Sequence, residues 1–252
     1  PIPSYSGITG ATGPEGVSGP PDNVDISTLS VSGRSSVGEV PIINNAIGDG
    51  AQVLPEANSW RSVTYGDGKF VAVAFTGPVM YSTDGISWTS ASVAEVNSWY
   101  SVTYGNGKFV AVANSGTNRV MYSTDGISWT SASATESNNW QSLTYGNGKF
   151  VAVARDGTNR VMYSTDGISW TAAAAPENSY WSSVTFGDGN FVAVASSGTG
   201  TSQVMYSTDA INWTSATAAE ANSWEEVAYG DGKFVAVAFT GPVMYWSNLR
   251  WR

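Results

Sequence analysis

Cysteine and histidine are both absent from this chain of 252 residues. Their absence removes disulfides, thiolate nucleophiles, the usual zinc ligands and the side chain best suited to proton transfer near neutrality. No metal and no cofactor are therefore expected, and any catalysis would have to run on carboxylates, Tyr, Ser, Lys and Arg. Basic residues are scarce, 11 against 20 acidic ones, for a net charge of −9. Four lysines share one repeated position (Lys69, Lys108, Lys149, Lys233), so no basic stripe tracks a phosphate backbone and nucleic acid is not an expected partner. No apolar run approaches the length of about 18 residues that spans a bilayer, which argues against membrane insertion. Pro1 to Tyr5 lack the basic start and apolar core of a secretory signal.

What the chain has in abundance is repetition. A phrase recurs five times, clearest from Trp140 to Ala154 followed by Val161 to Trp170, with opening tryptophans at 60, 99, 140, 181 and 224, spaced by 39, 41, 41 and 43 residues. That period, with its internal turn signals, belongs to blade-type rather than helical repeats. Each copy divides into four short segments, illustrated by Trp99 to Tyr104, Lys108 to Ala113, Val120 to Ser123, and Ile127 to about Ser131. The first two are joined by Gly-Asn-Gly or Gly-Asp-Gly and the last two by Asp-Gly, both hairpin signals.

Alternation along the first segment sets Val102 and Tyr104 on one side and Trp99, Ser101 and Thr103 on the other. The second segment is apolar on both sides, Phe109, Ala111 and Ala113 against Val110 and Val112, as for a strand buried between two sheets. Four antiparallel strands per unit predict an all-β fold, a five-bladed β-propeller over residues 58–252. An open stack of sheets is the alternative, and ring closure is favoured because it hides sheet edges.

The segment Ser123-Thr-Asp-Gly-Ile-Ser-Trp129 resembles the Asp-box of sialidase-like propellers, with the residue between Asp and Gly missing. The resemblance covers Asp84, Asp125 and Asp166 with Trp88, Trp129 and Trp170, and a fourth copy at Asp209 and Trp213 in which Ala210 replaces the Gly. The fifth copy, Tyr245 to Trp251, has lost both Asp and Gly. Physically the box reads as structure: the Asp accepts local backbone N–H bonds and the indole covers the hairpin. A sialidase would also need an arginine triad, a nucleophilic Tyr with its carboxylate and an acid Asp, each supplied once by a different blade. The tyrosines and aspartates here recur with the repeat, so no enzyme is expected.

Ahead of the blades, Gly falls at 7, 10, 13, 16 and 19, in collagen register over residues 1–21. A triple helix requires Gly at every third residue because only Gly fits its axis. A flexible Gly/Pro linker is the competing reading. Residues 22–40, containing Ser27-Thr-Leu-Ser-Val-Ser-Gly33, resemble the trimeric β-stems of phage tail fibres, and they hold too few apolar residues for a monomeric core. Residues 41–57 read as a connector, in which Ile42, Ile43 and Ile47 form a candidate edge strand over the incomplete fifth blade.

Connections between blades and the loops between second and third strands emerge on one face, which makes that face the candidate binding surface. It carries Trp99, Trp140 and Trp181 at blade starts and Asn118, Arg119, Asn159 and Arg160 in variable loops. Amides and guanidinium groups beside aromatic rings suit sugar hydroxyls. The competing reading makes the tryptophans interblade packing and the arginines solvated loop tips. The resemblances together imply a virion appendage: a homotrimer joined through its stem, attached to other virion structural proteins, whose propeller heads bind a host-surface glycan or receptor. An architectural virion component and a bacterial surface adhesin are the alternatives.

Overall fold

Among the described residues twenty short strands arise because the turn residues leave the chain few other paths. The structure, a computed structural model, describes residues 58–198, 202–247 and 250–252. The collagen-like, β-stem and connector segments over 1–57, with the edge strand at Ile42, Ile43 and Ile47, lie outside the described residues. Blade one is β1 (Trp60–Gly66), β2 (Lys69–Ala74), β3 (Val79–Ser82) and β4 (Thr89–Ser90). Blade two is β5 (Trp99–Gly105), β6 (Lys108–Ala113), β7 (Val120–Ser123) and β8 (Thr130–Ala132). Blade three is β9 (Trp140–Gly146), β10 (Lys149–Ala154), β11 (Val161–Ser164) and β12 (Thr171–Ala173). Blade four is β13 (Tyr180–Gly187), β14 (Asn190–Ser197), β15 (Val204–Ser207) and β16 (Thr214–Ala216). Blade five is β17 (Trp224–Gly230), β18 (Lys233–Ala238), β19 (Met244–Ser247) and β20 (Arg250–Trp251). Strands pair in chain order within each four-stranded antiparallel sheet.

The first hairpin of each blade turns on two residues in the left-handed region, such as Asn106 (φ 46°) and Gly107 (φ 72°). That is the backbone of a tight hairpin whose twist matches its strands. A bulge interrupts every inner strand just after its tryptophan, as between Trp99 and Ser101. The extra residue shifts the alternation by one. Trp99 therefore joins Val102 and Tyr104 on one face, rather than facing away from them as simple alternation predicts.

Four apolar cores hold the blades face to face. Between blades one and two, Val71, Val73 and Val79 meet Trp99, Phe109, Ala111 and Trp129. Val110 and Val112 meet Trp140, Phe150 and Ala152 at the next interface, and the pattern repeats between blades three and four and between four and five. The two faces of each second strand thus serve two different interfaces, as its sequence predicts. Full burial of each such tryptophan contributes on the order of 2–3 kcal/mol. Each interface also repeats one directional bond among others, an inner-strand amide donating to a serine Oγ of the preceding blade: Val102 to Ser62, Leu143 to Ser101, Val184 to Ser142 and Val227 to Ser183, at 3.1–3.2 Å.

The expected closure of blade five onto blade one is not formed among the described residues. Every other inner-strand glycine lies beneath an aromatic ring of the next blade, Gly66 under Tyr104 and Gly187 under Tyr229, whereas nothing stands within 4 Å of a Cβ placed at Gly230. Correspondingly Val63, Tyr65, Val235 and Val237 are exposed, although their counterparts in blades two to four line interfaces. Blade five has Glu225 and Glu226 where the inner strands of the other blades place residues such as Arg61 and Ser62, so its inner strand no longer offers the serine acceptor. Among the described residues the five sheets thus form a propeller arc with four packed interfaces.

Candidate functional site

The loop face is built from segments that knit one blade to the next. Arg119, between β6 and β7, donates through Nη1 to the carbonyls of Asn114 (3.0 Å) and Asn138 (2.8 Å), the latter in the segment that enters blade three. Arg160 repeats the arrangement one blade on, with Arg155 (3.0 Å) and Ser179 (2.8 Å) as acceptors. In blade four Gln203 takes the same role, its Oε1 accepting from the Asn222 amide at 2.9 Å. A guanidinium at a loop tip is thereby a clamp between blades.

The two loop asparagines are tied down as firmly. The Asn118 amide donates to Glu95 at 3.2 Å and its side chain donates to the same carboxylate. Asn159 donates to Glu136 through its backbone (3.2 Å) and side chain (2.6 Å). The Asn118 side chain is the main reason that the Glu95 carboxyl lies below the ordinary range. Partial burial pushes Glu136 up, yet donation from Asn159 and Thr158 outweighs it and leaves that carboxyl lowered. Asn97 and Asn138, buried beneath these loops, donate to the carbonyls of Asn118 and Asn159. Their burial was not foreseen from sequence, though their recurrence before a tryptophan was a usable signal.

Trp99, Trp140 and Trp181 have no exposed surface. The Trp140 and Trp181 indoles donate to the carbonyls of Glu136 (3.2 Å) and Glu177 (3.3 Å). This corrects the expectation that these rings face a ligand, because the bulge beside each one turns it into an interblade core. The seven residues predicted for binding lie on or beneath one face, as expected, but the tryptophans are closed to solvent and the polar groups have protein partners.

The opposite face carries the Ser-Thr-Asp-Gly turns. Asp84 Oδ1 accepts the Ile86 and Ser87 amides at 2.8 Å, and Ser82 Oγ donates to it at 2.9 Å. Asp125, Asp166 and Asp209 make the same set. Amide donation from Ile86 and Ser87 holds the Asp84 carboxyl at about 2. At Asp166 partial burial opposes the shift, but the Ile168 and Ser169 amides still bring it to about 2. Trp129 and Trp213 close their turns by donating to the carbonyls of Gly126 (3.3 Å) and Ala210 (3.1 Å). These aspartates are turn locks, which matches their structural reading, and Trp88 and Trp170 occupy the equivalent positions.

One cleft, of about 710 Å³, opens between blades four and five. Its walls include Val192 and Tyr206 from blade four and Phe234, Trp246 and Trp251 from blade five, with Asp188, Asn190, Ser215 and Thr217 supplying polar groups. Trp246 stands edge-on to Tyr206 (centroids 5.9 Å apart) and to Trp251 (5.6 Å). The Trp251 indole N–H is buried without an acceptor. Sequence reasoning did not identify this site, although the loss of the turn motif in blade five was visible. Among the described residues no cluster of acidic side chains has the makings of a metal site.

No protein-family model matches the chain, and no curated protein sequence matches it. Solved structures do. The propeller in a nidogen/laminin complex superposes with a TM-score of 0.61 at 13% identity, over 75% of this chain and 76% of that one. YCF48 bound to D1 peptide gives 0.59 at 14% identity, over 79% and 68%. The computationally designed Ika8 protein gives 0.58 at 13% identity, over 76% of this chain, which spans 59% of that protein's length. At such low identity the likeness is one of fold, and the fold is a β-propeller.

Proposed function

We propose that this chain is a non-enzymatic recognition protein, the propeller head of a trimeric virion appendage that binds a host-surface glycan or receptor. The observation that carries the binding reading is the engagement of repeat-equivalent polar groups. Arg119, Arg160, Asn118 and Asn159 clamp loops, and Asp84, Asp125, Asp166 and Asp209 lock turns. An acid and base for hydrolysis must sit in different environments to have different proton affinities, whereas these carboxylates repeat one environment and are held ionised. Two of the propellers with similar folds come from structures described as bound to a partner, a peptide for YCF48 and laminin for nidogen, and this chain is read as a binding module by analogy with them.

The appendage half of the reading rests on the sequence, through the glycine register over 1–21 and the fibre-like stem over 22–40. Three heads on one stem would raise the effective concentration of individually weak sites. Mass determination in solution tests the stem: the full chain is expected to be a trimer and residues 41–252 a monomer. A monomeric full chain would remove the appendage reading, and failure to bind host cells or their isolated surface glycans would remove the recognition reading.

A further inference from the structure

We propose that the cleft between blades four and five is a binding site for a neutral saccharide, an inference that rests on the recognition reading above and assigns it a place and a ligand class. Two departures from the repeat coincide there. Position 190 is Asn, whereas the other four blades place Lys69, Lys108, Lys149 and Lys233 at that point. Blade five has also lost its Ser-Thr-Asp-Gly turn. In the preceding interfaces that turn covers the earlier blade's valine: a Cβ at Gly126 would lie 3.0 Å from Val71, one at Gly167 would lie 2.7 Å from Val110, and Ala210 packs in one core with Val151. Val192, next in the series, lines the open cleft instead. The cleft thus lies beside the valine that such a turn covers at the preceding interfaces.

Its chemistry is that of a sugar site. Trp246 and Tyr206 present aromatic surface on which the C–H face of a pyranose can stack. Asp188 offers a carboxylate acceptor, and Asn190, Ser215 and Thr217 offer further polar groups for ring hydroxyls. The Trp251 ring adds to the aromatic wall beside Trp246, the two centroids lying 5.6 Å apart. Among the described residues the lining includes Asp188 and neither Lys nor Arg, so a sialylated or sulfated sugar would meet repulsion with no counter-charge from them. A neutral hexose or hexosamine fits.

The test uses the full chain on an array of neutral, sialylated and sulfated oligosaccharides, followed by titration of tryptophan fluorescence with whichever neutral glycans bind. Asn190→Lys places in the cleft the residue that four blades already tolerate, so its melting temperature should match wild type while affinity falls at least about tenfold. Trp246→Ala should weaken binding to a similar degree. Neutral-glycan binding that survives both substitutions overturns the site but leaves the recognition reading standing. Binding confined to anionic glycans overturns the ligand class, again sparing that reading. No binding to any glycan, with the fold intact, overturns this inference and the glycan part of the proposed function together.

Discussion

Gly146→Ala isolates the contact that sets the distance between adjacent inner strands. A Cβ built at Gly146 would lie 2.1 Å from Phe186 Cγ and 2.3 Å from its Cδ1, where carbon atoms settle at about 3.5–4.0 Å. The ring cannot retreat freely, since Phe191 packs against it with centroids 4.7 Å apart. Overpacking of this kind costs about 1–3 kcal/mol, and for a chain of this size each kcal/mol moves the melting temperature by about 2–4 °C. Gly146→Ala should therefore melt roughly 2–12 °C below wild type by calorimetry. Phe186→Ala removes the obstructing ring, so adding Gly146→Ala to that variant should cost less than it does alone, a coupling that a double-mutant cycle reads directly. Gly230→Ala is the internal control: nothing meets its Cβ, and its effect should stay within about 0.5 kcal/mol. A Gly146→Ala protein that melts like wild type would refute the packing argument. A Gly230→Ala protein that falls as far would mean that Tyr65 covers that glycine in solution and that the arc closes into a ring.

Other perturbations separate stability from binding. Trp129 is 6% exposed and donates to the Gly126 carbonyl, so Trp129→Ala should cost about 3–5 kcal/mol in urea unfolding; an unchanged midpoint would contradict its assignment as a core residue. Arg119→Met removes donors to the Asn114 and Asn138 carbonyls and should lower stability by about 1–3 kcal/mol; lost ligand binding at unaltered stability would instead make Arg119 a contact residue. The turn carboxylates Asp84 and Asp166 are held at about 2 when folded, against an ordinary value of 3.8. Their folded pKa values are depressed, so the stability they confer is complete above about pH 4 and is lost as pH falls toward 2. Melting temperature should drop across that window, and Asp166→Asn should flatten part of the drop; identical acid profiles for both proteins would sink the argument.

The architecture was legible because it is encoded locally and repeated. Gly-Asn-Gly and Asp-Gly dipeptides specify hairpins through their backbone angles alone, and a strand with apolar residues on both faces, such as Phe109 to Ala113, requires a sheet on each side. Two features were not legible, and both depend on more than one residue at a time. The bulge after each tryptophan shifts the alternation by one, and no side chain in Trp99-Tyr100-Ser101 announces the extra residue. Closure depends on whether the angles at the four packed interfaces sum to about four-fifths of a turn, which leaves the last fifth for blade five against blade one. Blades one and five share an identical stretch, Gly66 to Tyr81 and Gly230 to Tyr245, yet Val71 is buried in blade one and its equivalent Val235 is 37% exposed in blade five.

The same distinction bears on function. Residues that recur from blade to blade attract attention in a sequence, Trp99 through all five copies and Asn118 and Arg119 through two, and they carry the chemistry expected of a sugar site. In a tandem array, however, recurrence is what an interface requires, since each blade must present the same face to its neighbour. The indole is accordingly closed off, and the Arg119 and Asn118 donors are engaged. A ligand needs surface that the array does not use, and such surface arises where a copy departs from the rest. Asn190 and Trp246 are departures of that kind, an amide where the other blades place lysines and an indole where they place the serine that opens the Ser-Thr-Asp-Gly turn. They fall on opposite sides of one interface and line the cleft between the two blades. In repeat proteins of this type the informative positions for binding are the exceptions, and aligning the copies against one another finds them without any relative for comparison.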